Sequence, residues 1–192
     1  MLPLLLASSS PYRRELLARL QLPFICSSPN IDESYRPGEP AVELVKRLAE
    51  QKARALAGRH PAHLIIGSDQ VAVLGERIIG KPYSFDKARE QLMASSGASV
   101  TFLTGLALLN SQTGECQVDC VPFTVHMRTL DTARIERYLH AEQPYDCAGS
   151  FKAEGLGVSL FRSTEGPDAT SLIGLPLIRL IDMLLAEGVQ IP

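Results

Sequence analysis

The 192-residue chain is short of most features that would assign it to a specialised class. It has no surplus of basic charge: 19 Lys and Arg stand against 21 Asp and Glu, a formal net charge of −2. This argues against nonspecific attraction to nucleic acid or a membrane surface as its main business, yet leaves room for a basic pocket around a small anion. No stretch approaches the ~20 consecutive apolar residues of a membrane helix. The start, Met1-Leu2-Pro3-Leu4-Leu5-Leu6-Ala7, is apolar but brief, has no basic leader and runs into serines, so it reads as a first strand and not as a signal peptide. The four cysteines, Cys26, Cys116, Cys120 and Cys147, form no Cys-x-x-Cys pair, and His60, His63, His126 and His140 do not complement them at zinc spacing. Free thiols and a cytoplasmic location are therefore expected. Repeats, low-complexity tracts and linkers are absent. So are the Gly-Lys-Ser/Thr of a P-loop and the Gly-x-Ser-x-Gly of a serine hydrolase.

What is there suffices for a substantial core: 45% of the residues are apolar, and the length suits one domain, read here as residues 1–192. Leu4 to Ala7 reads as a buried strand, and Ser10-Pro11 as the cap and first residue of a helix ending near Gln21. A short strand spans Phe24 to Ser27, followed by a polar loop through Pro40 and a long helix from Ala41 toward Ala57, closed by Gly58. His63 to Gly67 reads as a buried strand that delivers Ser68, Asp69 and Gln70 to its C-terminal end. Val71–Leu74 and Arg77–Ile79 flank a hairpin turn at Gly75-Glu76, and a helix begins at Ser84 or Asp86. Val100–Leu109 and Cys116–Met127 are expected as long antiparallel strands. Asp131 caps a helix to about His140, Gly155–Phe161 suggests a strand, and Pro176–Glu187 a final helix. Mixed connections of this kind indicate an α/β fold with a mixed sheet and flanking helices.

Three short pieces suggest chemistry. In Ser8-Ser9-Ser10-Pro11-Tyr12-Arg13-Arg14 two arginines sit in a helix's first turn, where the dipole disfavours cations unless an anion compensates. A capped helix with solvated arginines would account for this motif on its own. Asp69 follows an apolar strand, where α/β proteins place ligand sites, though turn and cap aspartates look the same. Lys81, between Gly80 and Pro82, has a restricted backbone. Glu33 could join Asp69 in holding Mg²⁺ against substrate phosphates. Lys52 has a solvated helix face as its default reading. Lys152 and Glu154 lie in a Gly-bracketed stretch that suits either a ligand loop or a plain turn.

Ordered together, these pieces resemble the Maf family of nucleotide pyrophosphatases over nearly the whole chain. The markers are Ala7-Ser8-Ser9-Ser10-Pro11 with Arg13, then Glu33, Lys52, Gly67-Ser68-Asp69, Gly80-Lys81-Pro82 and Thr104-Gly105. Tyr145-Asp146-Cys147-Ala148-Gly149-Ser150-Phe151 and Gly174-Leu175-Pro176 follow. The resemblance implies a fold like that of inosine-triphosphate pyrophosphatases, with a nucleotide cleft between two lobes. It implies a divalent cation, Mg²⁺ or Mn²⁺, held by Glu33 and Asp69, and hydrolysis of a nucleoside triphosphate to monophosphate and diphosphate. Asp69 would be the base, with Ser8, Arg13, Lys52 and Lys81 on the substrate.

The branch of that family acting on dTTP and UTP usually has Arg, Thr and Gln where this chain has Tyr12, Gln70 and Glu154. The chain looks instead like the branch acting on 7-methyl-GTP. N7-methylation makes the base cationic, which suits the face of Tyr12, and guanine's N1–H and amino group suit the Glu154 carboxylate, with Gln70 lining the same pocket. Two alternatives stay open: a dTTP/UTP pyrophosphatase, and a nucleotide-binding regulator of cell division without turnover. The expected partner is the nucleotide alone, with no nucleic acid or membrane, and a homodimer is left open.

Overall fold

The structure is a computed structural model that describes residues 2–192. In chain order the elements are β1 (Leu4–Ala7), α1 (Pro11–Ala18), β2 (Phe24–Ser27), α2 (Ala41–Ala57), β3 (Leu64–Leu74), β4 (Arg77–Ile79) and α3 (Phe85–Ser95). They continue with β5 (Ser99–Asn110), β6 (Cys116–Met127), α4 (Thr132–Glu142), β7 (Phe161–Glu165), α5 (Ala169–Ile173) and α6 (Leu177–Ala186). The strands make a seven-stranded mixed sheet in the order β2-β1-β3-β5-β6-β7, with β4 added to β3. β1 runs parallel to β2 and β3, while the β3–β4 and β6–β7 pairs are antiparallel. Asn110 and Glu115 close β5 onto β6, and the cross-strand partners Thr101–Thr124 and Ser99–His126 keep that hairpin in register. The mixed α/β fold expected from the sequence is the fold observed.

The chain divides into two compact units. The first joins the segment ending at Gln70 to Thr104–Val121 and Asp168–Pro192. Here β1 is covered on both faces. Leu4 and Leu6 join Leu64, Ile66, Leu106 and Leu108 against Leu16 and Leu17 of α1 and Leu180, Met183 and Leu184 of α6. Leu5 and Ala7 join Ile65 and Leu109 against Ala53 and Leu56 of α2. A parallel strand covered twice has no polar side to show, which is why Leu4–Ala7 is an unbroken apolar run. Each such leucine or isoleucine contributes about 1.5–3 kcal/mol by its burial. α2 approaches the sheet at its backbone, through two glycines. A Cβ on Gly67 would lie 2.0 Å from the Ala49 carbonyl oxygen, and one on Gly105 would lie 2.1 Å from that of Val45.

The second unit is Val71–Leu103 with Pro122–Pro167. Ser84 and Asp131 cap α3 and α4 by accepting from the amides of Lys87 and Arg134. Phe151 packs edge-on against Phe102 and Phe161 at the centre of this unit. Gly149, with φ of 75°, brings the chain over the Phe102 ring, and the Ser150 hydroxyl then meets the Gln91 side chain.

The structure departs from the sequence expectation in several elements. β3 does not stop at Gly67 but runs on to Leu74, so Asp69 is inside a strand and not at its end. It does lie beyond the last parallel pair, Leu6 with Ile66, so it emerges where the parallel sheet ends. Gly155–Phe161 is not a strand: residues Leu156–Leu160 form a 3-10 turn, and β7 begins at Phe161. The cause is close backbone packing, since a Cβ on Gly157 would fall 2.3 Å from the Lys152 carbonyl oxygen. α1 ends at Ala18, short of Gln21, whose φ of 55° is left-handed. The short helix α5 has no counterpart in the sequence reading.

Candidate active site

Lys52 organises the polar centre of the first unit. It sits on the buried stripe of α2 with Leu48, Ala49 and Leu56, and is only 7% exposed, so the expectation of a solvated lysine is overturned. Its Nζ donates to Asp69 Oδ1 at 2.7 Å and lies 3.1 Å from Glu33 Oε1. Asp69 is itself buried, whereas Glu33 reaches in from the exposed loop between β2 and α2. Burying an ammonium is costly unless it is paired, and two carboxylates on one nitrogen supply that pairing. Gly67 makes the arrangement geometrically available, because the helix carrying Lys52 can touch the strand carrying Asp69 only where no Cβ intervenes.

Arg13 comes to the same region from the first turn of α1. Ser10 caps that helix, its hydroxyl accepting from the Arg13 amide, and Ser8 Oγ accepts from the Ser10 amide at 3.1 Å. The Arg13 side chain turns back so that Nε donates to the Gly174 carbonyl at 2.8 Å. Burial lowers its pKa from the usual arginine value, and the negative charges of Asp69 and Glu33 oppose that shift. The guanidinium remains charged in any case. Arg14, its neighbour, is exposed, so the two arginines of the motif part company. Tyr12 is half-buried in the same turn.

Gln70 is tied inward. Its amide nitrogen lies 2.7 Å from the Ser171 carbonyl, 3.0 Å from Thr104 Oγ1 and 3.3 Å from the Leu172 carbonyl. The nitrogen is spent on the 168–174 segment, so Gln70 has only its Oε1 to offer a ligand. The same segment takes a hydrogen bond from Ser68 Oγ to the Gly174 carbonyl at 3.0 Å. Its geometry is fixed by Asp168, whose carboxylate accepts from the Thr170 amide and hydroxyl and from the Ile178 amide. Ser68 and Thr104 entered the sequence reading only as family markers with no role, and Asp168 and Ser171 did not enter it, although an aspartate before Ala-Thr-Ser reads as a helix cap.

Lys81 and Glu154 belong to the second unit. Lys81 is exposed between two fixed points: the Gly80 carbonyl accepts from Gln91 Nε2, and the Tyr83 amide donates to Tyr145. Glu154 is exposed on a turn clamped at its base. There Glu142 accepts from the Leu156 amide at 2.6 Å, and the Tyr138 hydroxyl accepts from the Lys152 amide at 2.9 Å. Thus Ser8, Arg13, Glu33, Lys52, Asp69 and Gln70 share the first unit with Tyr12, while Lys81 and Glu154 are built on the second.

All four cysteines are free thiols. Among the described residues no group of three His, Cys, Asp or Glu side chains converges as a metal cage. Asp69 and Glu33 both reach Lys52 Nζ, and one or two carboxylates are what proteins offer Mg²⁺ when phosphates and water supply the other ligands. No helix among the described residues is long and apolar enough to cross a membrane.

The end of the parallel pairing thus gathers one buried lysine, two carboxylates and a half-buried arginine, and the sequence profile of the Maf-like protein family matches residues 3–187. The chain belongs to that family. It is 88% identical over its full length to the whole of a Pseudomonas fluorescens protein named 7-methyl-GTP pyrophosphatase. It is 71% identical over 98% of both chains to a protein of that name from Pseudomonas aeruginosa. A third such protein, from Alcanivorax borkumensis, is 60% identical over 98% of this chain and 96% of its own.

Proposed function

We propose that the protein is a nucleotide pyrophosphatase that hydrolyses 7-methyl-GTP to 7-methyl-GMP and diphosphate. The observation that carries this reading is the buried Lys52 pairing with both Asp69 and Glu33, whose charges also act on Arg13, in a chain whose full-length relatives bear that activity's name. Water attacks the α-phosphorus, the bond from that phosphorus to its bridging oxygen breaks, and diphosphate leaves with the electron pair. Asp69 orients the water and accepts its proton. Lys52, Arg13 and Lys81 offset the phosphate charge, which grows on the leaving group as the bond breaks, and Ser8 supports the loop that turns into α1. Glu33 and Asp69 would hold Mg²⁺ or Mn²⁺, which when bound supplies further charge neutralisation at the phosphates. Tyr12 stacks on the cationic base, and Glu154 accepts from guanine's N1–H and amino group.

Diphosphate release by the purified protein, with Mg²⁺ or Mn²⁺, tests the reading against a panel of 7-methyl-GTP, GTP, dTTP and UTP. The highest kcat/KM should fall on 7-methyl-GTP. Glu154→Gln should erode the preference for guanine, and Tyr12→Ala should shrink the advantage of the methylated base by roughly 2–30-fold, the range of a cation–π contact. A preference for dTTP or UTP would replace the substrate assignment, and binding of nucleotides without turnover would replace the enzyme by a sensor.

A further inference from the structure

Glu33 stands on the stretch from Ser28 to Pro40, which has no helix or strand and whose side chains are mostly exposed. Little apolar burial holds this loop, so its position depends on polar contacts. Besides the pairing of Glu33 with Lys52, several of them meet on Arg47 of α2. Arg47 Nε donates to Glu39 Oε1 at 2.6 Å, and its NH2 donates to Glu39 Oε2 at 2.7 Å. The same NH2 reaches the carbonyl of Ser34, the residue after Glu33, at 3.1 Å. NH1 donates to Gln51 Oε1 at 3.2 Å, which steadies the guanidinium from one turn further along α2.

The loop adds its own ties. Asp32 accepts from the Ser34 amide and hydroxyl, and Glu39 accepts from the Arg36 amide. Unlike the exposed Glu33, the Arg47–Glu39 pair is shielded: the side chains are 15% and 11% exposed, against 58% for Glu33. A bidentate, shielded pair is the kind of ion pair that holds geometry, whereas a solvated one does not. The hydrogen bonds from Arg47 hold the Glu39 carboxyl down to about 2, so it stays charged at any working pH.

We infer that Arg47 is a positioning residue: by gripping Glu39 and the Ser34 carbonyl it sets the loop so that Glu33 meets Lys52, the partner it shares with Asp69. Arg47 and Lys52 lie on the same helix, so α2 fixes both the backbone beside Glu33 and the partner of its carboxylate. A lysine at position 47 keeps the charge but cannot span three acceptors, because it lacks the planar fork. This inference rests on the proposed role of Glu33 toward phosphate and a divalent cation.

The test uses Arg47→Lys and Glu39→Gln beside Glu33→Gln. Both clamp variants should raise the Mg²⁺ or Mn²⁺ concentration needed for half-maximal diphosphate release by about 10-fold, the low end of what loss of an outer support costs a metal ligand. KM for the nucleotide at saturating metal should change little. Independently of activity, amide hydrogen exchange in residues 32–39 should quicken in the clamp variants while the amides of α2 stay protected. Combining Arg47→Lys with Glu33→Gln should add nothing to Glu33→Gln alone. Clamp variants with wild-type metal dependence and loop exchange, beside an impaired Glu33→Gln, would overturn the inference and leave the functional reading standing. A Glu33→Gln enzyme with wild-type metal dependence would overturn both.

Discussion

Lys52 stands on the apolar stripe of α2, where a solvated charge would ordinarily break the pattern, and two carboxylates share its nitrogen. This triad sets the expectation for Asp69. Asp69→Asn keeps the side chain's shape and leaves Glu33 as counterion, so the loss of stability should be limited to about 1–1.5 kcal/mol, the difference between a charge-assisted bond and a neutral one. Turnover should suffer far more, with kcat falling on the order of 10²-fold or more through loss of the proposed base. Urea unfolding and steady-state kinetics on the same preparation check both; a folded variant with normal kcat would remove Asp69 from the base's role. The cysteines make a second residue-scale case. Burial pushes Cys116 and Cys120 up to about 11 and Cys147 up to about 12, with neighbouring acidic groups adding to the shift. A raised thiol pKa means less thiolate at neutral pH, so reactivity at these three should be slow and should climb only as pH approaches those values. Cys26, exposed on β2, should therefore alkylate first at pH 7.5, one label per chain by intact mass. Rapid labelling of Cys147 would contradict the raised thiol pKa of its half-buried setting.

Among the elements, α2 matters most, because it carries Lys52 and Arg47 and meets the sheet through glycine. The sequence showed the helix by its apolar period, and its end by Gly58. It did not show that Gly67 and Gly105 are contact points, since a glycine in a strand gives no hint of what approaches it. The two kinds of glycine should respond oppositely to alanine. At Gly67 the new Cβ meets the Ala49 carbonyl oxygen, backbone that cannot swing aside, so α2 must move away from β3. Overpacking of this sort costs typically 1–3 kcal/mol or more, and the displacement pulls Lys52 off Asp69, so activity should fall with stability. Gly58 has φ of −63°, and a methyl group added there would meet nothing within 4 Å. Gly58→Ala should stabilise by about 0.4–1 kcal/mol through the unfolded chain, and leave activity unchanged. Chemical denaturation of both variants, read beside kcat, checks the contrast; equal effects would mean that the close approach at Gly67 does not govern the site.

At the scale of the whole molecule, the mixed sheet was legible because a doubly covered strand must be an apolar run, as Leu4–Ala7 and Leu64–Ile66 are. The caps at Ser10, Ser84 and Asp131 were legible for the same local reason. What was not legible depends on distant partners: the Arg47–Glu39 grip, the tie from Gln70 to Ser171, and the turn after Gly155 leave no periodic trace. Site residues on capped helix starts and strand runs could thus be named, while the groups that hold them in place could not. The ligand itself tests the proposed substrate contacts. A non-hydrolysable 7-methyl-GTP analogue at 100 times its Kd should add about 2.7 kcal/mol to the folded state by mass action. For a chain of this size each kcal/mol raises Tm by about 2–4 °C, so the shift should be roughly 5–11 °C. Arg13→Ala is a poor control, since Arg13 also holds the Gly174 carbonyl and its loss will lower Tm without ligand. Lys81 is exposed, so Lys81→Ala should leave the free protein within about 0.5 kcal/mol of wild type. If Lys81 binds phosphate, its removal costs roughly 1.5–3 kcal/mol of affinity, and at the same analogue concentration the stabilisation should shrink to roughly 0.3–1.3 kcal/mol. A full thermal shift in Lys81→Ala would mean that the second unit's lysine takes no part in holding the triphosphate.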